Sequence, residues 1–156
     1  MKALQFLRGI DAPKIRNFWR LDTDAPPALP GVYVLIAKPK MEFIYPAGKS
    51  PIFYIGHSKS LLRRLLEHLK YTRHVRDGKR EKGVPLYWPC YEYGGIFGGR
   101  YCFIRTHRGL KSKSLEDRIL AQFARCYHSF PVANGAGAWA RIEHEFNREL
   151  QLIRSR

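Results

Sequence analysis

The chain of 156 residues fits one compact domain, and its 45% apolar content excludes a disordered chain. Lys and Arg number 28 against 13 Asp and Glu, a net charge of +15 that opposes compaction unless a polyanion offsets it. That balance points to a nucleic acid, DNA or RNA, with an anionic membrane surface or a merely solubilising basic surface as the rivals, and no run approaches the ~20 apolar residues of a membrane span. The cysteines, Cys90, Cys102 and Cys126, are widely spaced and odd in number, which argues against a disulfide framework and a C-x-x-C zinc site. Met1 to Ile10 has no uninterrupted apolar stretch of the signal-peptide kind. These features set the expectation of a cytoplasmic protein with no membrane partner.

The first twenty residues suggest a short helix around Lys14 to Trp19, ended by the stiff segment Pro26, Pro27 and Pro30. Val32 to Ala37 is rich in β-branched and aromatic residues and reads as a strand. Pro46-Ala47-Gly48 marks a turn, and Ile52 to Ile55 reads as the returning strand of an antiparallel hairpin with a long connection. Leu61, Leu62, Leu65, Leu66 and Leu69 then follow helical spacing, with Ser58 as the expected N-cap. On that helix Arg64 and His68 share a face, taken to be the polar one. Arg73 to Lys82 reads as a basic, mobile turn region. The aromatics Tyr87, Trp88, Tyr91 and Tyr93 precede two Gly-Gly pairs, with no element assigned there. Tyr101 to Thr106 reads as a third strand. Ser114 to Asp117 matches a capping box, predicting a helix over 115–127. A last amphipathic helix is expected over Trp139 to Ile153, within 138–156; it offers a homodimer face or packs on its own domain. The fold class is α+β, a small three-stranded antiparallel sheet flanked by helices. It forms one domain over 1–156, with its core at about 30–137.

Gly31-Val32-Tyr33 and Tyr54-Ile55-Gly56 stand at the two strands. Ser58, Leu61, Arg64 and His68 follow as S-x-x-L-x-x-R-x-x-x-H, then Glu116 and Asn134. This joint pattern resembles the GIY-YIG family of metal-dependent nucleases, densely over residues 31–68 and loosely over 115–134. Val32 departs from the family's isoleucine, and the connection from Tyr33 to Tyr54 is long and carries Lys38, Lys40 and Lys49. It reads as a DNA-contacting hairpin or a surface insertion.

The resemblance implies a hydrolase: an endonuclease that cuts DNA to 5′-phosphate and 3′-hydroxyl ends with Mg²⁺ or Mn²⁺. Tyr33 would be the general base, Tyr54 would align water or phosphate, and Arg64 and His68 would hold the phosphate. Glu116 would bind the metal, as a hard cation prefers carboxylate oxygen. Gly56 and Asn134 would be structural, and His57 is a further candidate for contact with the attacking water. The alternative is a catalytically inactive nucleic-acid-binding module of the same fold. Residue by residue, the bland readings are a packed strand tyrosine, a solvated arginine and an acidic helix start.

Overall fold

The computed structural model describes Phe6 and residues 14–79, 89–106 and 111–134. The strands are β1 (Arg16–Asn17), β2 (Gly31–Ala37), β3 (Phe43–Tyr45), β4 (Gly48–Ser50), β5 (Ile52–Ser58) and β6 (Gly98–Arg105). The helices are α1 (Leu61–Arg76), α2 (Pro89–Phe97) and α3 (Ser112–Tyr127). The α+β class holds. The main sheet, however, has four antiparallel strands, ordered β1-β6-β2-β5, rather than three. The added strand lies where a helix was expected. Asn17 accepts from the backbone N–H of Trp19 and starts a single 3-10 turn, Phe18–Arg20, whose Phe18 is buried. That local cap leaves Arg16–Asn17 extended against Tyr101 and Arg100 of β6.

All seven residues of β2 are buried, because both faces of the sheet are covered. Val32, Val34 and Ile36 point to one side, into a core with Ile119, Leu120 and Phe123 of α3. Tyr33 and Leu35 point to the other, into a core with Leu61, Leu65 and Leu69 of α1 and Tyr91 of α2. The period-two alternation of a strand thus assigns each β2 residue to one of two helical layers.

Three local expectations need correction. The N-cap of α1 is Ser60, which accepts from Arg63 N–H at 3.4 Å, while Ser58 closes β5 and bonds the backbone of Ser60. The helix continues to Arg76, because Arg73, His74 and Arg76 complement the negative carbonyl end of the helix rather than breaking it. Ser114 is no cap: α3 begins at Ser112 with Lys111 before it, and no side chain caps that end. Helix α2 fills a stretch to which no element was assigned. The expected helix at 138–156 and the last part of the basic stretch, Arg80 to Lys82, lie outside the described residues.

The long connection between β2 and β5 is itself a hairpin, β3–β4, turning at Pro46 and Ala47. Phe43 packs on Phe53, Tyr93 and Phe97. Tyr45 donates to the Ile52 carbonyl at 2.7 Å and accepts from Val132 N–H at 3.1 Å. Its opposite face turns Ile44, 84% exposed, and Lys49 to solvent as a cross-strand pair.

Strand β5 is the edge of the main sheet, and residues 133–134 close that edge. Ala133 N–H donates to the Phe53 carbonyl at 2.9 Å. Asn134 accepts from Ile55 N–H at 3.1 Å and donates to the Ile55 carbonyl at 2.9 Å, as a neighbouring strand would. Replacing Asn134 with Ala should cost about 1–3 kcal/mol, read as a lower melting temperature. Asn134→Asp should cost at least as much, because a carboxylate oxygen then faces the Ile55 carbonyl.

Candidate active site

Antiparallel pairing sets Tyr33 directly opposite Gly56 and Leu35 opposite Tyr54. Directly paired residues share a face, so Tyr33, Tyr54 and Gly56 all look toward α1. The pairing shifts after Leu35, and at that irregularity Phe53 and Tyr54 both join the core beneath α1 and α2. Gly56 is required by this packing. A Cβ there would stand 2.5 Å from the Tyr33 hydroxyl oxygen and 2.8 Å from Cε1 of Tyr54.

Above them α1 supplies Arg64 and His68. His68 is fully buried, so the site faces the sheet from the apolar side of α1 and not from its solvated side. The Tyr33 hydroxyl and His68 Nε2 are hydrogen-bonded at 2.8 Å. The His68 ring also packs edge-on against Tyr33 and Tyr91, each at 5.1 Å between ring centroids. Burial, aided by the Arg64 charge, pushes the His68 pKa well below its usual value and keeps the ring neutral. His68 Nδ1 has no partner among the described residues. The tautomer with hydrogen on Nε2 leaves only an acceptor unmatched there, which costs less than an orphaned N–H. In that form His68 donates to the Tyr33 oxygen.

A neutral buried histidine has a consequence for stability. Its folded-state pKa lies below the unfolded value, so the unfolded chain binds the extra proton first. The contribution is present above pH ~6.5 and is lost as pH falls, with a limiting slope of about 1.4 kcal/mol per pH unit. Denaturant melts at pH 7.5 and pH 5.5 should show this loss, and His68→Phe should flatten it.

Arg64 lies beside the same tyrosine and lowers its pKa by charge and by a hydrogen bond, yet burial wins. Desolvation, reinforced by Tyr54, raises the Tyr33 pKa well above 10. Tyr54 is likewise pushed up to about 12, chiefly by burial. Arg64 Nη1 donates to Glu67 Oε1 at 2.6 Å and to the Tyr91 hydroxyl at 3.0 Å. Burial opposes its charge, but Tyr33, Tyr91 and Tyr54 more than offset this, and the guanidinium stays protonated. Neither Glu67 nor Tyr91 is marked by the sequence motif. Glu67 sits three residues past Arg64, the spacing of a helical ion pair. Tyr91 required knowing that its segment is a helix packed on α1.

Glu116 is reached from the other face. His57, one residue past Gly56, turns toward α3, with Nε2 3.7 Å from Glu116 Oε2 and Nδ1 3.4 Å from Ser112 Oγ. Glu116 occupies the second turn of α3, on the buried stripe of Ile119, Leu120 and Phe123, and its side chain is 5% exposed. Its charge raises the pKa of Tyr54 across the edge strand. The candidate residues therefore wrap the end of β5. Tyr33, Tyr54, Arg64 and His68 interlock on one side, and His57 and Glu116 meet on the other. Asn134 stands apart, fixing the backbone between them. A cleft of about 410 Å³ along the outer flank of α1, lined by Asp22, Leu66, Lys70 and Arg73 among others, includes none of these residues.

No protein-family model, curated protein or solved structure matches this chain.

Proposed function

We propose that the protein is a GIY-YIG-type endonuclease that hydrolyses DNA phosphodiester bonds with a divalent cation, leaving 5′-phosphate and 3′-hydroxyl ends. One observation carries the reading. Tyr33, Tyr54, Arg64 and His68, the residues to which the sequence resemblance assigns the chemistry, come from three separate elements and lie together around one buried hydrogen bond. The charge of +15 suits the polyanionic substrate. The outward Ile44 and Lys49 of the β3–β4 hairpin, with Lys38 and Lys40 beside it, offer it a contact surface.

Hydrolysis requires water to lose a proton and the phosphorane-like charge to be stabilised. Arg64 grips two phosphate oxygens with its planar fork, a task that lysine performs less well. Its ion pair with Glu67 must then yield to the phosphate. The Tyr33 oxygen, receiving hydrogen bonds from His68 and Arg64, first releases its own proton to solvent and then, as the phenolate, takes the proton from the attacking water. Tyr54 bounds the space in which water and phosphate meet. The buried Glu116 carboxylate fits a hard divalent cation, Mg²⁺ or Mn²⁺, although no group of three or more ligating side chains gathers among the described residues. When bound, that cation would supply Lewis acidity to the leaving oxygen.

A second reading, a binding module without turnover, gains support from the burial of Tyr33, which is 1% exposed and holds its proton firmly. End-labelled duplexes incubated with Mg²⁺ or Mn²⁺ separate the two. The nuclease reading expects cleavage that EDTA abolishes and that Glu116→Gln lowers by about 10³-fold or more. Gel-shift binding without cutting on any DNA or RNA substrate would favour the binding module.

A further inference from the structure

His57 and Glu116 form a pair that the nuclease reading leaves without a joint role. His57 Nδ1 faces Ser112 Oγ at 3.4 Å, and Nε2 faces Glu116 Oε2 at 3.7 Å. When Nδ1–H donates to the serine, the Nε2 lone pair points at a carboxylate. In that tautomer a cation between the two acceptors relieves their repulsion, as a proton on Nε2 does in the metal-free protein. Donors bound to one cation at about 2.1 Å lie roughly 3.0–3.4 Å apart in octahedral or tetrahedral geometry. The observed 3.7 Å thus needs a shift of a few tenths of an ångström, which the half-buried His57 ring can make. A ligating histidine that gives its second N–H to a hydroxyl is fixed in tautomer and orientation, and Ser112 provides that hydroxyl.

We infer that His57 and Glu116 together bind the divalent cation, with Ser112 orienting the imidazole. This deepens the nuclease reading and rests on its metal site. The consequence is a change in metal preference. A lone carboxylate with water suits Mg²⁺, whereas an added imidazole nitrogen favours later first-row ions, Co²⁺ above Mn²⁺ and Mn²⁺ above Mg²⁺.

The test uses the full chain without nucleic acid, titrated calorimetrically with Co²⁺, Mn²⁺ and Mg²⁺. Wild type should bind Co²⁺ at least tenfold more tightly than Mg²⁺. His57→Gln should lose about tenfold or more in Co²⁺ affinity with little change for Mg²⁺, and Glu116→Gln should lose both ions. Ser112→Ala, which leaves both ligands in place, should weaken Co²⁺ by a few-fold and thereby guards against misfolding of the His57 variant. The visible absorption of bound Co²⁺ should change in His57→Gln as nitrogen is replaced by oxygen. Unchanged Co²⁺ affinity and spectrum in His57→Gln would overturn the assignment, even if Glu116 binds metal and the protein cuts DNA. Intact metal binding with no cleavage of nucleic acid would instead count against the nuclease reading alone.

Discussion

Tyr33→Phe is expected to lower the single-turnover rate of phosphodiester cleavage by about 10³-fold, within the usual range for loss of a positioned general base. The substitution removes one oxygen, and the ring keeps its place between Tyr54 and His68. It leaves His68 Nε2 without its 2.8 Å partner, so some stability is lost as well, about 1–3 kcal/mol. The fold should survive, and DNA affinity in EDTA should stay within a few-fold of wild type. The pH profile of the wild type carries independent information. Because burial raises the Tyr33 pKa well above 10, cleavage that depends on its phenolate should accelerate about tenfold per pH unit across neutrality. No plateau should appear below pH 9. A variant that cuts at the wild-type rate would remove Tyr33 from the chemistry.

Gly56→Ala is expected to be nearly as damaging, though no functional group is deleted. The new Cβ would lie 2.5 Å from the Tyr33 hydroxyl oxygen and 2.6 Å from Cζ of the same ring. Neither ring can swing aside cheaply. Tyr33 is buried and hydrogen-bonded to His68, and Tyr54 is confined by Tyr33 and His68. The methyl therefore displaces the tyrosine from its histidine or pushes β5 from β2. Overpacking of this kind costs about 1–3 kcal/mol, and a misplacement near 1 Å costs on the order of 10²-fold in rate. Melting and single-turnover cleavage, measured on one preparation, would read both losses. A stable variant of full activity would show that the close approach of Gly56 to Tyr33 is not needed.

The strands of the core and the central helix were legible because their signals are local. The β-branched and aromatic richness of Val32 to Ala37 and the leucine spacing along Leu61 to Leu69 each identify an element without knowledge of its neighbours. Helix α2 was not legible, since Pro89 and two adjacent glycines argue against a helix on propensity alone. Tertiary packing reverses that argument. A Cβ at Gly95 would stand 2.7 Å from Cγ1 of Val75, so the glycine lets α2 lie close on α1. The candidate residues were legible as types in order, but their faces were not. Helical spacing suggests a polar face for Arg64 and His68, whereas His68 is fully buried against Tyr33. The partners that hold Arg64, Glu67 and Tyr91, follow from folding and not from the motif. The structure also separates Glu116 from the tyrosines by the edge strand β5, a division that no spacing in the sequence conveys.

The central claim is that Tyr33, Arg64 and Glu116 act on one phosphate. A crystal structure of the Tyr33→Phe protein, with a short DNA duplex and Mn²⁺ bound, tests this most directly. The expected result places one backbone phosphate against the Arg64 guanidinium, with Glu67 displaced from it. Mn²⁺ should bridge that phosphate to Glu116 around the end of β5, with the ring at position 33 facing the attacking side. DNA seated elsewhere on the basic surface, with the Arg64–Glu67 ion pair intact and no metal at Glu116, would contradict it.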